Sequence, residues 1–375
     1  MSRQDLNDLL YLIALTMVPS IGPVRAKKLL REIGSGRGIF REKKEILHHI
    51  RGVGPQTSKA LHTTALLMQA ERELEFLSKH RIEALYFEDP EYPDRLKQCP
   101  DAPILLYRRG KENLNPSRSI SVVGTRRASS YGRDLCHSIV LDLSKQIEDL
   151  HIVSGLAFGI DVIAHRAALE AGIPTVAVLG HGLSTLYPAA HRDAARRISL
   201  QGALVTDFHS GMGPERNNFL RRNRIIAGMS DATLVVESAA SGGSLITANL
   251  AQSYHRDVLA VPGRTMDPRS RGCNRLIRNQ VAALVESAED VLYHLNWDAK
   301  AVQQEFSFSP EIQTTLEETK LLELIQLHKP VGPGDLSVQS GLPIHVVMAL
   351  LTEMELKQWI SQEAGNLYRP RNPQS

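Results

Sequence analysis

The residues best suited to chemistry lie in short runs between positions 124 and 264. Gly124-Thr125-Arg126-Arg127-Ala128-Ser129-Ser130 sets two guanidinium groups beside hydroxyls and a glycine. The runs Ser154-Gly155-Leu156-Ala157-Phe158-Gly159-Ile160-Asp161, Gly180-His181-Gly182, Ser241-Gly242-Gly243-Ser244-Leu245-Ile246-Thr247 and Gly263-Arg264 repeat the theme. Glycine permits close backbone approach, and helix N-terminal amides with Ser or Thr hydroxyls favour phosphate. One such loop is weak evidence. Five of them, each following an apolar run, point to a phosphate-bearing ligand.

The ligand's class can be narrowed. The first loop is not G-x-G-x-x-G, and Ser154 stands where a dinucleotide site has its acidic ribose partner. No G-x-x-x-x-G-K-[ST] occurs, which argues against an ATP-hydrolysing P-loop. Between Pro116 and Trp297 there are 18 Arg and one Lys, Lys145. Arg binds phosphate as a fork and stacks on bases, whereas Lys acts as a point charge. Arg216, Arg221, Arg222 and Arg224 fall within nine residues, interleaved with Asn217, Asn218, Asn223 and Phe219. Arg264, Arg269, Arg271, Arg275 and Arg278 form a second group. This mixture suits a single-stranded nucleic acid, with phosphates on Arg and bases stacked. The bland alternative is that several of these arginines pair with acids or coat helices.

Asp161 and His165 stand four apart on one predicted helix and share a face. They could form an acid–base pair. The structural reading is favoured: Asp161 caps the helix or fixes the Gly-rich loop, with His165 as its partner. No nucleophile or metal-ligand set accompanies them.

Elements must carry these loops. Apolar runs without polar alternation read as strands buried on both faces: 119–124, 152–154, 174–180, 203–207, 233–237, 258–262 and 282–285. Helices are expected to begin near Tyr131, Ile160, Ala189, Asn217, Gly243 and Gly272. Alternating strands and helices predict an α/β domain with a doubly wound, mostly parallel sheet over 81–297. Ligands then bind beyond the carboxyl ends of the strands.

Residues 1–80 read as a helical domain. Leu6, Leu9, Ile13 and Met17 fall at helical spacing, so the apolar run from Leu9 to Val18 is a core helix, too short to span a membrane. Gly22-Pro23 and Gly54-Pro55, 32 residues apart, each open a helical pattern. Each unit looks like a helix-hairpin-helix (SAM-like) element, which either holds a DNA phosphate on its amides or simply packs as a cap. Residues 298–315 read as a linker. Residues 316–375 give three helices and a two-stranded tail, the order of a winged helix. Its third helix, 343–355, has no Lys or Arg, so a protein-contacting role is favoured over groove reading.

The whole-chain charge of +3 excludes a histone-like binder but not a local basic surface. Split by domain it is +4 over 1–116, +3 over 117–297 and −4 over 298–375. The three cysteines, Cys99, Cys136 and Cys273, show no C-x-x-C spacing, which argues against disulfides or zinc and fits a reducing cytoplasm. No metal or other cofactor is expected, and no membrane partner.

Gly124-Thr-Arg126, Ser154-Gly-Leu-Ala-x-Gly159-Ile-Asp161-x-x-Ala164-His165, Arg222-Asn223-Arg224-Ile-Ile-Ala-Gly228, Ser241-Gly-Gly-Ser244-Leu-Ile-Thr247-Ala and Ala260-Val-Pro262-Gly263 together resemble the DNA-processing protein DprA (Smf) family. The match is dense over about 85–295. It implies an extended Rossmann-like fold and a protein not known as an enzyme. Such a protein binds single-stranded DNA during natural transformation, acts as a homodimer and helps load the RecA recombinase. Carried over by motif, Arg126 is the main phosphate-binding arginine. The 180–188 loop, with Gly180, Gly182 and Tyr187, and the block Arg222-Asn223-Arg224 line the same groove. The chain departs from the family in three places. Ala189 follows Tyr187-Pro188 where a Lys is common, with Arg192 the candidate substitute. Phe219-Leu220-Arg221 replaces a usual Pro before the Arg-Asn-Arg block. Asn279-Gln280-Val281 replaces a usual Gly-Ala in the region where family members dimerise and meet RecA.

A competing reading is a Rossmann-like nucleoside 5′-monophosphate phosphoribohydrolase, because 241–247 is similar to that group's P-G-G-x-G-T-x-x-E motif. Leu250 stands where its glutamate would, which removes the acid–base group. An adaptor acting through the two end domains is a third reading.

Overall fold

The strands between 118 and 260 are short and apolar, and each is buried along nearly its whole length, while the two-residue edge strand at 283–284 is not. In the chain's computed structural model they join two further strands in one nine-stranded sheet. The strands are β1 (Glu83–Tyr86), β2 (Leu105–Arg109), β3 (Arg118–Val123), β4 (Leu150–Ser154), β5 (Thr175–Val178), β6 (Ala203–Thr206), β7 (Ala232–Val235), β8 (Asp257–Ala260) and β9 (Ala283–Leu284). Their spatial order is β1-β2-β6-β5-β4-β3-β7-β8-β9. All pairs from β6 through β9 are parallel. β1 and β2 add an antiparallel edge that the apolar runs did not reveal. The structure describes residues 3–297, 315–327, 330–357, 359–363 and 365–370. Met1–Asp298 forms one compact unit and Ala299–Ser375 a second.

The chain enters the sheet's parallel part at β3, builds outward through β4, β5 and β6, then returns to lay β7 beside β3. The switch point lies between β3 and β7, and their C-terminal loops part there to leave a crevice. On one face Ile120, Val122 and Ile152 pack against Ile139, Val140 and Leu143 of the helix Ser130–Gln146 and Ala164 of Ile160–Glu170. On the other, Val123, Val153 and Val178 pack against Ile225 and Ile226 of Arg216–Gly228 and Leu245 and Ala248 of Gly243–Ser253.

Six helices precede the sheet: Arg3–Met17, Pro23–Ile33, Gly36–Arg41, Lys44–His49, Pro55–Leu61 and Thr64–His80. Gly22 and Gly54, the residues before the two prolines, have the same backbone angles, φ −86° and ψ 176°. The apolar spine of these helices (Leu12, Ile13, Leu29, Ile39) is continuous with Leu105 and Tyr107 of β2 and Leu204 of β6. Glu73, buried on Thr64–His80, accepts from the Ser210 amide at 2.9 Å and from its hydroxyl. That bond ties the helical region to the loop after β6.

The second unit has helices Leu316–Leu327, Pro333–Ser340 and Ile344–Leu356 and a hairpin of β10 (Ile360–Glu363) and β11 (Leu367–Pro370). Leu321, Leu336, Leu351, Met354, Ile360 and Tyr368 form its core, the winged-helix arrangement. The predicted linker lies, except for Thr315, outside the described residues. Among the described residues no single helix is long and apolar enough to cross a membrane. No cluster there could hold a metal, and Cys99, Cys136 and Cys273 are buried free thiols.

Candidate nucleic-acid interface

The loop after β3 is built by its neighbours. The Thr125 amide donates to the Glu237 carbonyl at 2.7 Å, and the Ile160 amide donates to the Thr125 carbonyl at 3.2 Å. The buried Glu237 carboxylate accepts from the Ser129 amide (2.9 Å) and hydroxyl (2.6 Å). Ser129 in turn caps Ser130–Gln146 by accepting from the Gly132 amide. With its backbone fixed on both sides, the loop turns Arg126 and Arg127 outward, and both are exposed.

Arg126 faces a cleft of about 710 Å³ at the switch point. Its walls come from the loop after β3 (Gly124, Thr125, Arg126), the start of Ile160–Glu170 (Asp161), Tyr187, the helix Arg216–Gly228 (Arg216, Phe219, Arg222, Asn223) and the loop after β7 (Ser241, Gly242, Gly243, Ser244, Thr247). The Arg126 guanidinium lies 5.8 Å from the Phe219 ring centroid, and the Tyr187 ring lies 5.7 Å from that of Phe219. Arg126 and Arg216 make no ion pair with any described residue. The first turn of Gly243–Ser253 opens on the cleft: the Leu245 amide donates to the Gly242 carbonyl at 3.2 Å, and the Gly243 and Ser244 amides lie ahead of any acceptor within the helix. A Cβ at Gly243 would meet nothing within 4 Å, so a ligand can come close to the backbone there.

Arg222 is 3% exposed. Its Nη1 donates to the Val178 carbonyl at 2.6 Å, and its Nε has no partner among the described residues. Burial lowers its pKa to about 10, against the pull of Asp161, so it keeps its charge at neutral pH. Asp161 is buried beside it and accepts from the Ala157 amide at 3.4 Å. Burial pushes the Asp161 carboxyl above the usual carboxylate range, opposed first by Arg222. Asp161 therefore holds the Ala157 amide and balances Arg222.

Other expected residues stand behind the walls or away from them. Ser154 is fully buried and donates to the Val122 carbonyl at 2.6 Å, joining β4 to β3 instead of meeting a ligand. Gly155 lies against the Arg222 guanidinium, where a Cβ would come within 1.7 Å of Nη1. Gly159 (φ +77°) lies against the Thr125 carbonyl, Gly180 against Phe219 and Gly182 against the His209 carbonyl. These four glycines serve close contacts of the protein with itself. Arg224 points away from the cleft, pairs with Asp207 and donates to the Asp101 carbonyl. His165 is bonded through Nδ1 to the Thr175 hydroxyl at 2.7 Å and not to Asp161. Arg192 is exposed and lines a neighbouring concavity instead.

Phe219 and Glu237 carry more of the site than their sequence setting signals. Phe219 sits among arginines and was visible as the block's aromatic residue. Glu237 stands two residues past the end of β7, where site residues of such sheets belong, yet nothing in the sequence ties it to Ser129.

Fold and site define a class: a Rossmann-like α/β protein with an arginine-lined cleft at its switch point, carrying a winged helix. Residues 83–296 match the family model described as DNA recombination-mediator protein A, and 308–366 match the DprA winged helix domain. The chain belongs to the DNA recombination-mediator protein A (DprA, Smf) family. It is 36% identical over 330 residues to Protein Smf of Escherichia coli strain K12, covering 82% of this chain and 86% of that one. It is 40% identical over 201 residues to the DNA processing protein DprA of Streptococcus pneumoniae, covering 54% and 70%. The X-ray structure of DprA from Streptococcus pneumoniae superposes with a TM-score of 0.61 at 32% identity, covering 76% of this chain and 96% of that one. DNA processing protein A of Helicobacter pylori, whose structure was described for its single-stranded DNA binding mode, gives 0.52 at 26% identity, covering 58% and 97%.

Proposed function

We propose that this protein binds single-stranded DNA without regard to sequence in the switch-point cleft, protects it, and passes it to the RecA recombinase. The observation that carries this reading is a single cleft holding unpaired Arg126 and Arg216, the rings of Phe219 and Tyr187, and an open helix N-terminus. Phosphate binds arginine forks and amides, and bases stack on rings. Neither contact reads sequence. The binding residues are Gly124, Thr125, Arg126, Arg127, Tyr187, Arg216, Phe219, Asn223, Ser241, Gly242, Gly243, Ser244 and Thr247, with Arg222 buried beneath them. RecA delivery, natural transformation, a homodimer and a cytoplasmic setting rest on family membership.

The protein acts as a binder and not as an enzyme. Asp161 is the one carboxylate among the described lining residues, and it is committed to loop amides and to Arg222. Glu237 is engaged at both oxygens by Ser129. Incubation with nucleoside 5′-monophosphates should release no free base, whereas steady release would establish the hydrolase instead. The binding reading is tested by titrating labelled single-stranded and duplex oligonucleotides over a salt series. Single strands should bind tighter and lose affinity steeply with salt.

A further inference from the structure

Beside the cleft lies a second concavity of about 550 Å³, and no carboxylate lines it. Arg192, Arg196 and Ser199 project into it from positions i, i+4 and i+7 of the helix Arg192–Gln201, a single face. Arg109, at the end of β2, closes the opposite side. Thr185 adds a hydroxyl, while the Ser184 and Ser199 hydroxyls already donate to the Ser210 and Arg196 carbonyls. Arg109 is half-buried, and its one side-chain hydrogen bond among the described residues is to the Leu183 carbonyl, at 3.5 Å. None of the three arginines makes an ion pair with a described residue. Like charges gathered around one hollow repel, and an anion bound there would relieve that repulsion.

The two concavities share a wall. Residues 183–186 line the second, and Tyr187, the next residue, lines the first. Neighbouring Cα atoms are about 3.8 Å apart, so along this wall the two hollows are separated by a single residue step.

We propose that Arg109 and Arg196, with the Thr185 hydroxyl, form a second phosphate subsite that holds the same DNA strand beyond the Tyr187 wall. This rests on the single-strand reading of the first cleft. The ligand is the sugar–phosphate backbone of the continuing strand. Free phosphate has the same chemistry and is the alternative source.

The test is fluorescence anisotropy with oligo(dT) of about 4 and about 20 nucleotides over a salt series, the shorter length filling one cleft only. With the 20-mer, Arg196→Ala should weaken binding several-fold and lower the slope of log K against log salt by about 0.7. The Arg109→Ala/Arg196→Ala pair should lose about twice that slope. With the 4-mer, wild type and both variants should bind alike. Arg196→Lys, which keeps charge but not the fork, should restore part of the slope. If the paired substitution unfolds the protein because Arg109 is half-buried, the exposed Arg196 variants carry the test alone. Wild-type slopes in the arginine variants, with Arg126→Ala still weakening both oligomers, would overturn the subsite and leave the first cleft standing. Failure of wild type to bind either oligomer would remove both readings. Calorimetric binding of inorganic phosphate that is lost in the pair, with the 20-mer slope unchanged, would mark a free-anion site and overturn the proposal.

Discussion

The Arg126 guanidinium lies 5.8 Å from the centre of the Phe219 ring, at the mouth of a cleft where neither side chain is committed to a carboxylate. A cation over a ring face leaves the ring's other contacts and the guanidinium's N–H groups available. One base and one phosphate of a nucleotide can therefore be met together. Phe219→Ala should weaken single-strand binding by about 1–3 kcal/mol for oligo(dT) and oligo(dA) alike. Phe219→Trp should retain it. Anisotropy titration checks both, and a loss confined to one base type would contradict sequence-independent stacking.

Arg224 should behave oppositely. It is buried and paired with Asp207. Removing one partner of such a pair strands the other charge and costs about 3–5 kcal/mol. Arg224→Ala should lower the urea midpoint sharply, while the protein that remains folded binds DNA as wild type does.

Gly155→Ala tests the floor of the cleft. The added Cβ would collide with the Arg222 guanidinium, which is held by the Val178 carbonyl. Displacing it removes the charge balance with Asp161. Single-strand affinity and thermal midpoint should fall together. A variant with neither change would show that the guanidinium has room to move.

These three cases show what the sequence could carry. Parallel strands buried on both faces declare themselves as apolar runs, and the loops after β3 and β7 stand out by their glycines, hydroxyls and arginines. The four residues of β1 and five of β2 give no such signal, because they are short and carry charges that pair with each other across the antiparallel ladder, Glu83 with Arg108. The block Arg222-Asn223-Arg224 read as one unit in the sequence. A helix turns about 100° per residue, so two positions diverge by about 200°. Arg222 goes under the cleft and Arg224 to Asp207. Glycines marked close approaches correctly, but at Gly155, Gly159, Gly180 and Gly182 the approaching group is the protein itself.

Acid should destabilise the protein through two buried histidines. Burial lowers the His165 pKa to about 3 and the His151 pKa to about 4, from 6.5. The unfolded chain takes up these protons near pH 6.5 and the folded chain does not. The stability they contribute is complete above about pH 6.5 and falls as pH drops toward 4, by up to about 1.4 kcal/mol per pH unit for each. Urea unfolding of the DNA-free protein at several pH values checks this. His165→Gln should flatten the slope by one proton's share.

The central claim is that Arg126 meets the phosphates of a single strand in the switch-point cleft. The direct measurement is the affinity of wild type and Arg126→Ala for one single-stranded oligonucleotide and its duplex, over a salt series with thermal midpoints alongside. The account predicts single-strand preference in wild type. In the variant it predicts weaker binding to every sequence and a salt slope smaller by about 0.7, with the midpoint unchanged. Equal binding of strand and duplex, or an Arg126→Ala protein indistinguishable from wild type, would contradict it.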